Sequence, residues 1–188
     1  MNIQPFLLAA IAATGTKAWA ADSHRHHDAH IHGHAELTLA ISGDSMQLEL
    51  ESPTMNLVGF EHRPNSGKDR QRLRDTADFL GQPARWLQLA SDAGCNLAQA
   101  EVESDLLDDH GHNHGHHHDH GEHDKETHSD FRVTVEYRCT DTDALERIEL
   151  SGLFQRFPGF ERIEVQWLTD RQQSATELDP GNTVINLR

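Results

Sequence analysis

Residues 35–52 read AELTLAISGDSMQLELES, and this stretch decides the fold. Apolar residues alternate with polar or small ones in both of its halves, first at Leu37, Leu39 and Ile41, then at Met46, Leu48 and Leu50. A period of two is typical of a half-buried β-strand. Gly43-Asp44 is a turn sequence between the halves, and Pro53 stops the second strand. The stretch therefore predicts a β-hairpin.

Outside the hairpin the pattern continues in shorter elements. Residues 53–68 are predicted as an irregular connection, and the apolar spacing of 69–80 predicts a helix that ends at Gly81. Further strands are predicted at 97–102, 131–139, 148–150, 163–167 and 184–187, with a helical turn at 153–157. The two ordered halves, 35–103 and 131–188, predict a single α+β domain. We expect a mostly antiparallel sheet of about five to seven strands with two or three short helices.

The composition of the 188 residues excludes several functions. The formal net charge of −15 argues against nucleic-acid binding, which needs a basic surface, and against docking on anionic lipid. Histidine is abnormally frequent, with 16 residues. Because imidazole titrates near pH 6.5 and is the commonest metal ligand, this frequency indicates metal or proton chemistry.

The N-terminus predicts export. Residues 6–13 form an apolar run that is too short to span a bilayer, and Ala18-Trp19-Ala20 is an A-x-A cleavage pattern. We therefore interpret 1–20 as a secretory signal peptide, although 1–5 carry no Lys or Arg; the alternative is a buried N-terminal helix. No second long apolar run follows, so we expect no membrane span in the mature chain.

The two cysteines allow two interpretations. In an exported protein, an even pair such as Cys95 and Cys139 favours a disulfide. The alternative is a pair of thiolate zinc ligands, which is less favoured because neither residue lies in a C-x-x-C pair.

Most histidines lie in two segments. Residues 104–130 form a low-complexity insert that we expect to be disordered, and residues 21–34 form a flexible N-terminal segment. Spacing of two residues, with glycines between, lets a flexible chain wrap several imidazoles around one ion. Carboxylates beside them can add anionic ligands. The candidate ligands in the insert are His110, His112, His114, His116, His117, His118, Asp119, His120, Glu122 and His123.

A second group of candidates lies close to predicted structure. His30, His32 and His34 lead directly into the first strand, so the fold itself is expected to hold His34, with His32 as the next candidate. Glu61 and His62 lie in the predicted connection; taken alone, His62 is more simply a surface loop histidine. Because neutral imidazole is the ligand, metal affinity should fall as the pH drops through about 6.5.

These residues are compatible with several metals. Imidazole suits Zn²⁺, and in vitro also Cu²⁺, Ni²⁺ or Co²⁺. Catalytic signatures are missing from the sequence: it has no H-E-x-x-H, no recognisable nucleophile turn and no phosphate-binding glycine loop. We therefore expect a metal-binding protein and not an enzyme.

Several blocks of the sequence are specific enough to be compared with known families. The most specific are Asn56-Leu57-Val58-Gly59-Phe60-Glu61-His62 and Leu153-Phe154-Gln155-Arg156-Phe157-Pro158-Gly159. Shorter blocks extend over nearly the whole chain: His32-Gly33-His34-Ala35-Glu36-Leu37, Ser52-Pro53, Ala93-Gly94-Cys95, Tyr137-Arg138-Cys139 and Val165-Gln166. Together they resemble the ZrgA family of His-rich periplasmic zinc-uptake proteins. The resemblance implies zinc binding in the periplasm and support of zinc import, beside an ABC-type zinc importer and its solute-binding protein.

Three hypotheses follow from the sequence. The first is a periplasmic protein that captures Zn²⁺ on its His-rich segments and hands it to a zinc ABC importer or its solute-binding protein. The second is a metal buffer or resistance protein for Zn, Cu or Ni. The third is a pH-responsive interaction protein, since protonation of all 16 histidines would change the formal charge from −15 to +1.

Overall fold

The predicted hairpin forms the centre of the larger of two sheets. The structure is a computed structural model, and it describes residues 31–107 and 129–188. Strands β1 (His34–Ser42) and β2 (Ser45–Pro53) pair antiparallel. Their apolar residues face each other in register, as Leu37↔Leu50, Leu39↔Leu48 and Ile41↔Met46, and all six are buried. The hairpin prediction is confirmed, including its end at Pro53.

Seven more strands and three helices complete the described chain. The strands are β3 (Gln88–Leu89), β4 (Asn96–Glu103), β5 (Asp130–Arg138), β6 (Arg147–Glu149), β7 (Arg162–Leu168), β8 (Gln173–Leu178) and β9 (Val184–Asn186). The helices are α1 (Thr54–Val58), α2 (Gly67–Leu80) and α3 (Ser151–Arg156). Short 3-10 turns lie at Pro83–Arg85, Ser91–Ala93 and Thr142–Ala144.

The strands form two sheets. The larger sheet has the order β4-β5-β2-β1-β7-β8, and the smaller one the order β3-β6-β9. All pairs are antiparallel except β1 and β7, which run parallel from His34↔Arg162 to Ala40↔Leu168. The prediction of a mostly antiparallel α+β fold with short helices is therefore confirmed.

One face of the larger sheet meets the core and the other meets solvent. Along β1, Leu37, Leu39 and Ile41 are buried, whereas the residues between them are exposed. Helix α2 contributes Leu73, Phe79 and Leu80 to the same core, and the segment after it adds the fully buried Trp86. Helix α2 begins two residues earlier than predicted, because Ser66 and Asp69 form a reciprocal capping box at its N-terminus.

Three elements differ from the sequence expectation. The described residues form nine strands against the expected five to seven, because β3 and β8 have no predicted counterpart. β3 has only two residues, and β8 has the polar sequence QSATEL, in which an edge strand carries little apolar period. Helix α1 lies in the region predicted as irregular; five residues are too few to show a helical period. The parallel β1–β7 pair depends on a long-range contact that local patterns do not encode.

The edges of the His-rich insert belong to the fold. Leu106 and Leu107 pack partly buried against the core, Ser129 is buried, and β5 begins at Asp130. Residues 108–128, the interpreted signal peptide and residues 21–30 lie outside the described part of the chain.

The predicted disulfide joins Cys95 to Cys139, so these sulfurs are not thiolate zinc ligands. The backbone N–H of Cys139 donates to the carbonyl of Asp44 at 2.8 Å, which places the disulfide at the turn end of the β1–β2 hairpin. In the part of the chain that the structure describes, no helix has the length and apolar character needed to cross a bilayer.

Candidate metal-binding site

The candidate site lies at the opposite end of β1 from the disulfide. β1 has nine residues, so its two ends are about 26 Å apart at roughly 3.3 Å per residue. At the N-terminal end, residues 31–34 form a tight turn, closed by the His34 N–H that donates to the Ile31 carbonyl at 3.0 Å. This turn carries two of the predicted ligands, His32 and His34.

The turn depends on a glycine. Gly33 has a φ of +87°, a conformation that L side chains rarely adopt. Its carbonyl accepts the N–H groups of Glu161 and Arg162 at 2.8 and 3.0 Å, at the start of β7. A Cβ added to Gly33 would lie 2.9 Å from the Glu161 side chain. The turn is therefore fixed from the β7 side.

Glu61, a further predicted ligand, lies in the loop that follows α1. Helix α1 ends at Gly59, whose φ is +81° and whose N–H donates to the Met55 carbonyl at 2.9 Å. The guanidinium of Arg72 on α2 donates to the Val58 carbonyl at 2.9 Å. These contacts fix the direction in which the chain leaves the helix. The N-x-x-G-F-E-H block is therefore a short helix, its C-cap and the exit loop.

The structure brings His32 and Glu61 together. Nε2 of His32 lies 3.2 Å from Oε1 of Glu61, although 29 positions separate the two residues. The His32 side chain is 55% exposed and that of Glu61 only 15%. An imidazole nitrogen and a carboxylate oxygen are both ordinary zinc ligands. The pair therefore offers one nitrogen and one oxygen at a point that solvent can reach.

His62 does not join this pair. Its ring is exposed and stacks on Phe60 with a centroid distance of 4.9 Å, and its Nδ1 lies 2.9 Å from the Arg63 carbonyl. The ring also lies near the N-terminus of α2. The pKa of Asp69 is lowered there, chiefly by the hydrogen bond from the Ser66 hydroxyl and to a smaller extent by the charge of His62.

His34 occupies a third position. It is the first residue of β1, is half-buried, and stands in register with Arg162 of the parallel strand β7. Its carbonyl accepts a hydrogen bond from the Asn56 side chain at 2.7 Å. Among the predicted ligands of the ordered region, His32 and Glu61 thus form a contacting pair, and neither His34 nor His62 joins them in a group of three that could hold a metal ion.

Across residues 31–107 and 129–188, no group of three or more His, Cys, Asp or Glu side chains is arranged to hold a metal ion. Within that part of the chain, the His32–Glu61 pair accordingly supplies at most half of a four-ligand zinc shell. His30 and the ten candidate ligands of the insert lie outside the described residues, and their assignment stays a prediction.

Two residues at the site were missed by the sequence reasoning. Ser129, near the end of the insert, is the first described residue after 107, and its hydroxyl donates to the Glu61 carbonyl at 3.1 Å. Its own carbonyl accepts the Thr54 N–H at 2.8 Å, at the start of α1. Asn56 hydrogen-bonds to the backbone of the His32–His34 turn. Asn56 was quoted only as the first residue of the Asn56–His62 block, without a role of its own, and Ser129 gave no local signal.

Comparison with known proteins gives one family. The family model described as ZrgA family zinc uptake protein matches residues 29–187. No curated protein matches the chain. The matched range includes the His32 turn, α1 with Glu61, and both cysteines of the disulfide. It covers most of the 188 residues. The chain therefore belongs to the ZrgA family of zinc uptake proteins.

Proposed function

We propose that this zinc uptake protein captures Zn²⁺ on its two His-rich segments and at the His32–Glu61 pair. We further propose that it hands the ion to a zinc ABC importer or to the importer's periplasmic solute-binding protein. Zinc is the cargo in this proposal. Imidazoles would supply most of the ligands, and the protein would act as a binding component without catalysis.

The observation that carries the proposal is that a residue at the described end of each His-rich segment contacts Glu61. His32, at the end of the N-terminal segment, contacts the carboxylate of Glu61. Ser129, at the end of the insert, donates to the carbonyl of the same residue at 3.1 Å. Two described residues that are far apart in sequence, His32 and Ser129, therefore meet at Glu61.

The number and type of ligands at the His32–Glu61 pair agree with a role in zinc capture and transfer. The His32–Glu61 pair supplies two ligands, and a zinc ion needs about four. Water or neighbouring histidines, such as His30 or those of the insert, would complete the shell. An incomplete site is suited to transfer, since an ion held by two fixed ligands can exchange its remaining ligands one at a time.

Two features support a periplasmic location. Residues 1–20 have the pattern of a secretory signal peptide. The Cys95–Cys139 disulfide suits an oxidising compartment, because disulfides are rare in the reducing cytosol. In that location the protein would meet zinc before the importer does.

Competitive zinc titration tests the proposal. The mature chain, residues 21–188, is titrated at pH 7.5 against a chelator of known affinity, beside a variant lacking 110–123 and the variants His32→Ala and His62→Ala. We expect the deletion to lower the zinc stoichiometry and to leave the fold and one tighter site intact. His32→Ala should remove that tighter site. His62→Ala should retain it, because the His62 ring stacks on Phe60 and its Nδ1 lies against the Arg63 carbonyl.

Other outcomes would refute parts of the proposal. Unfolding of the deletion variant would show that the insert is structural. Equally weak binding of Zn²⁺, Cu²⁺, Ni²⁺ and Co²⁺ would contradict selective zinc capture. Induction of the protein by excess metal, instead of zinc starvation, would favour a buffering or resistance role.

A further inference from the structure

The Asn56 side chain hydrogen-bonds to the turn that carries His32 and to Ser52, and not to the side chains of the His32–Glu61 pair. It sits in α1 with a relative exposure of 5%. Its Oδ1 accepts the Gly33 N–H at 2.7 Å, and its Nδ2 donates to the His34 carbonyl, also at 2.7 Å. One buried carboxamide therefore binds the backbone on both sides of the peptide that links Gly33 to His34.

These two bonds complete the fixation of the turn. The Gly33 carbonyl is already bound by the N–H groups of β7, so Asn56 engages the N–H group that remains. With both polar backbone groups of Gly33 bonded, the plane of the turn is set from α1 and from β7. The direction in which His32 leaves the turn follows from that plane, because Gly33 is its immediate neighbour.

The same helix sets the position of the carboxylate. Glu61 lies five residues after Asn56, beyond the Gly59 C-cap, and Ser129 holds its backbone carbonyl. The backbone of Asn56 is also tightly packed. A Cβ on Gly159 would clash with the Asn56 carbonyl oxygen, so the Phe157-Pro158-Gly159 turn lies directly against α1. Helix α1 is thus held by the His32–His34 turn, by the Ser129 carbonyl that accepts the Thr54 N–H, and by the turn that ends at Gly159.

We propose that Asn56 is the positioning residue of the His32–Glu61 zinc pair. It joins the turn that carries His32 to the helix that precedes Glu61, and in this way it sets the distance between the nitrogen and the oxygen. This inference rests on the proposed function, because it assumes that the pair binds zinc. It goes further by assigning the preorganisation of the pair to one buried side chain that is not a ligand.

The loss of zinc affinity expected on removal of Asn56 can be compared with that at other metal sites. Residues that orient metal ligands without touching the metal typically alter metal affinity by 10- to 100-fold when they are removed. Asn56 acts through backbone, so we expect a value near the lower end, about tenfold. A purely structural Asn56, which only satisfies buried backbone groups, would lower the stability of the fold without this specific effect on zinc.

Histidine-labelled NMR on the full mature chain tests the proposal. The imidazole signals are followed against free Zn²⁺ set by a chelator buffer, with the His32 signal assigned by its loss in His32→Ala. In the wild type, His32 should respond before most other histidines. In Asn56→Ala, its midpoint should move to roughly tenfold higher free zinc. The midpoints of the other histidines should stay unchanged.

Two control variants separate positioning from general destabilisation. Ser52→Ala removes the third bond of the Asn56 amide, from Nδ2 to the Ser52 hydroxyl at 3.2 Å, and keeps both bonds to the turn. Leu73→Ala weakens the core at α2 without touching the turn. Both should retain the wild-type His32 midpoint. Should Asn56→Ala not fold, Asn56→Asp takes its place, since it keeps an acceptor for Gly33 and loses the donor to His34.

The outcomes are distinguishable. An early His32 response in the wild type, with an unchanged midpoint in the Asn56 variants, would overturn the positioning role and leave the proposed function standing. A wild-type His32 that responds only after the other histidines are saturated would overturn the zinc pair itself, and the role of Asn56 with it. A shift in Leu73→Ala equal to that in Asn56→Ala would also overturn the positioning role.

Discussion

Glu36 on β1 stands directly in register with Glu164 on the parallel strand β7. Its antiparallel partner on the other side is also an acid, Glu51 of β2. The row continues from Glu164 to Glu177 of β8. Basic side chains reach only the flanks of this row among the described residues, where Arg132 contacts Glu51 and Arg162 contacts Glu177 at 3.1 Å each.

This arrangement predicts that Glu36→Gln stabilises the protein. Like charges directly opposite on neighbouring strands are destabilising, and the substitution relieves two such pairs. We expect a gain of about 0.5 kcal/mol in the free energy of unfolding at low salt. The gain should shrink in 1 M salt, which screens exposed charges. Urea denaturation at both salt concentrations measures it.

Glu101 supplies the matched control for that experiment. It is exposed on β4, and its register partner is the neutral Thr134. Glu101→Gln should therefore change the stability little. An equal gain for the two variants would show that the net charge matters and the register does not.

Gly33→Ala should destabilise the fold and weaken zinc binding together. The positive φ alone costs about 1–2 kcal/mol for a residue with a side chain. The new Cβ would also meet the Glu161 side chain at 2.9 Å. The measurements are chemical denaturation and the zinc titration described above.

Gly43→Ala is the control that separates the loss of stability in Gly33→Ala from the loss of zinc binding. Gly43 also has a positive φ, +58°, but a Cβ there would have no neighbour within 4 Å, and it lies in the turn at the far end of β1. We expect a comparable backbone cost and unchanged zinc binding. Loss of zinc binding in both variants would trace the effect to stability alone.

Removing the disulfide should destabilise the protein and leave its zinc stoichiometry unchanged. Cys95 and Cys139 are 44 positions apart, and the chain-entropy model assigns a loop of that size about 4 kcal/mol as an upper figure. The bond lies at the end of β1 away from His32. The double variant Cys95→Ser/Cys139→Ser is compared with oxidised wild type in urea, and reduced wild type, which also lacks the bond, is the matched control. A lower zinc stoichiometry in the variant would contradict the separation of the two ends.

Asp170 should give a stability contribution that depends on pH. Its carboxylate accepts the Ser42 hydroxyl at 2.9 Å and the Gly43 N–H at 3.0 Å, which ties the β7–β8 turn to the β1–β2 turn. These bonds, first that from Gly43 and then that from Ser42, lower the pKa of Asp170 below its ordinary value of 3.8. The group thus stabilises the fold above pH 3.8, and this stabilisation is lost as the pH falls through the lower, folded pKa.

Comparison of the wild type with Asp170→Asn tests whether the stability contributed by Asp170 is lost as the pH falls. The variant should be less stable than the wild type at neutral pH, and the difference should vanish in acid. Denaturation curves between pH 2 and pH 7 provide the measurement. A difference that persists unchanged to pH 2 would show that the carboxylate charge is not its source.

The sequence predicts the local elements of this fold well and their long-range pairing poorly. The alternation in 35–52 and 163–167 identified strands, because a buried face imposes a period of two on any strand. No local pattern indicates that β7 pairs parallel with β1. Asn56 was part of a recognisable block, but its partners Gly33 and His34 lie more than 20 positions away. The same limit applied to the candidate site, where His32 and Glu61 were both predicted as ligands but not as a contacting pair.

The strand order of the larger sheet has a consequence for how the protein is made. The hairpin β1–β2 is complete early in synthesis, yet its two neighbours in the sheet, β5 and β7, both follow the His-rich insert. A nascent chain that ends before Asp130 therefore exposes both edges of an apolar hairpin. Open strand edges favour pairing with other chains. Both neighbours of the hairpin can be added only when the last third of the polypeptide is available, so the sheet is completed late. A truncated product would therefore be prone to aggregate.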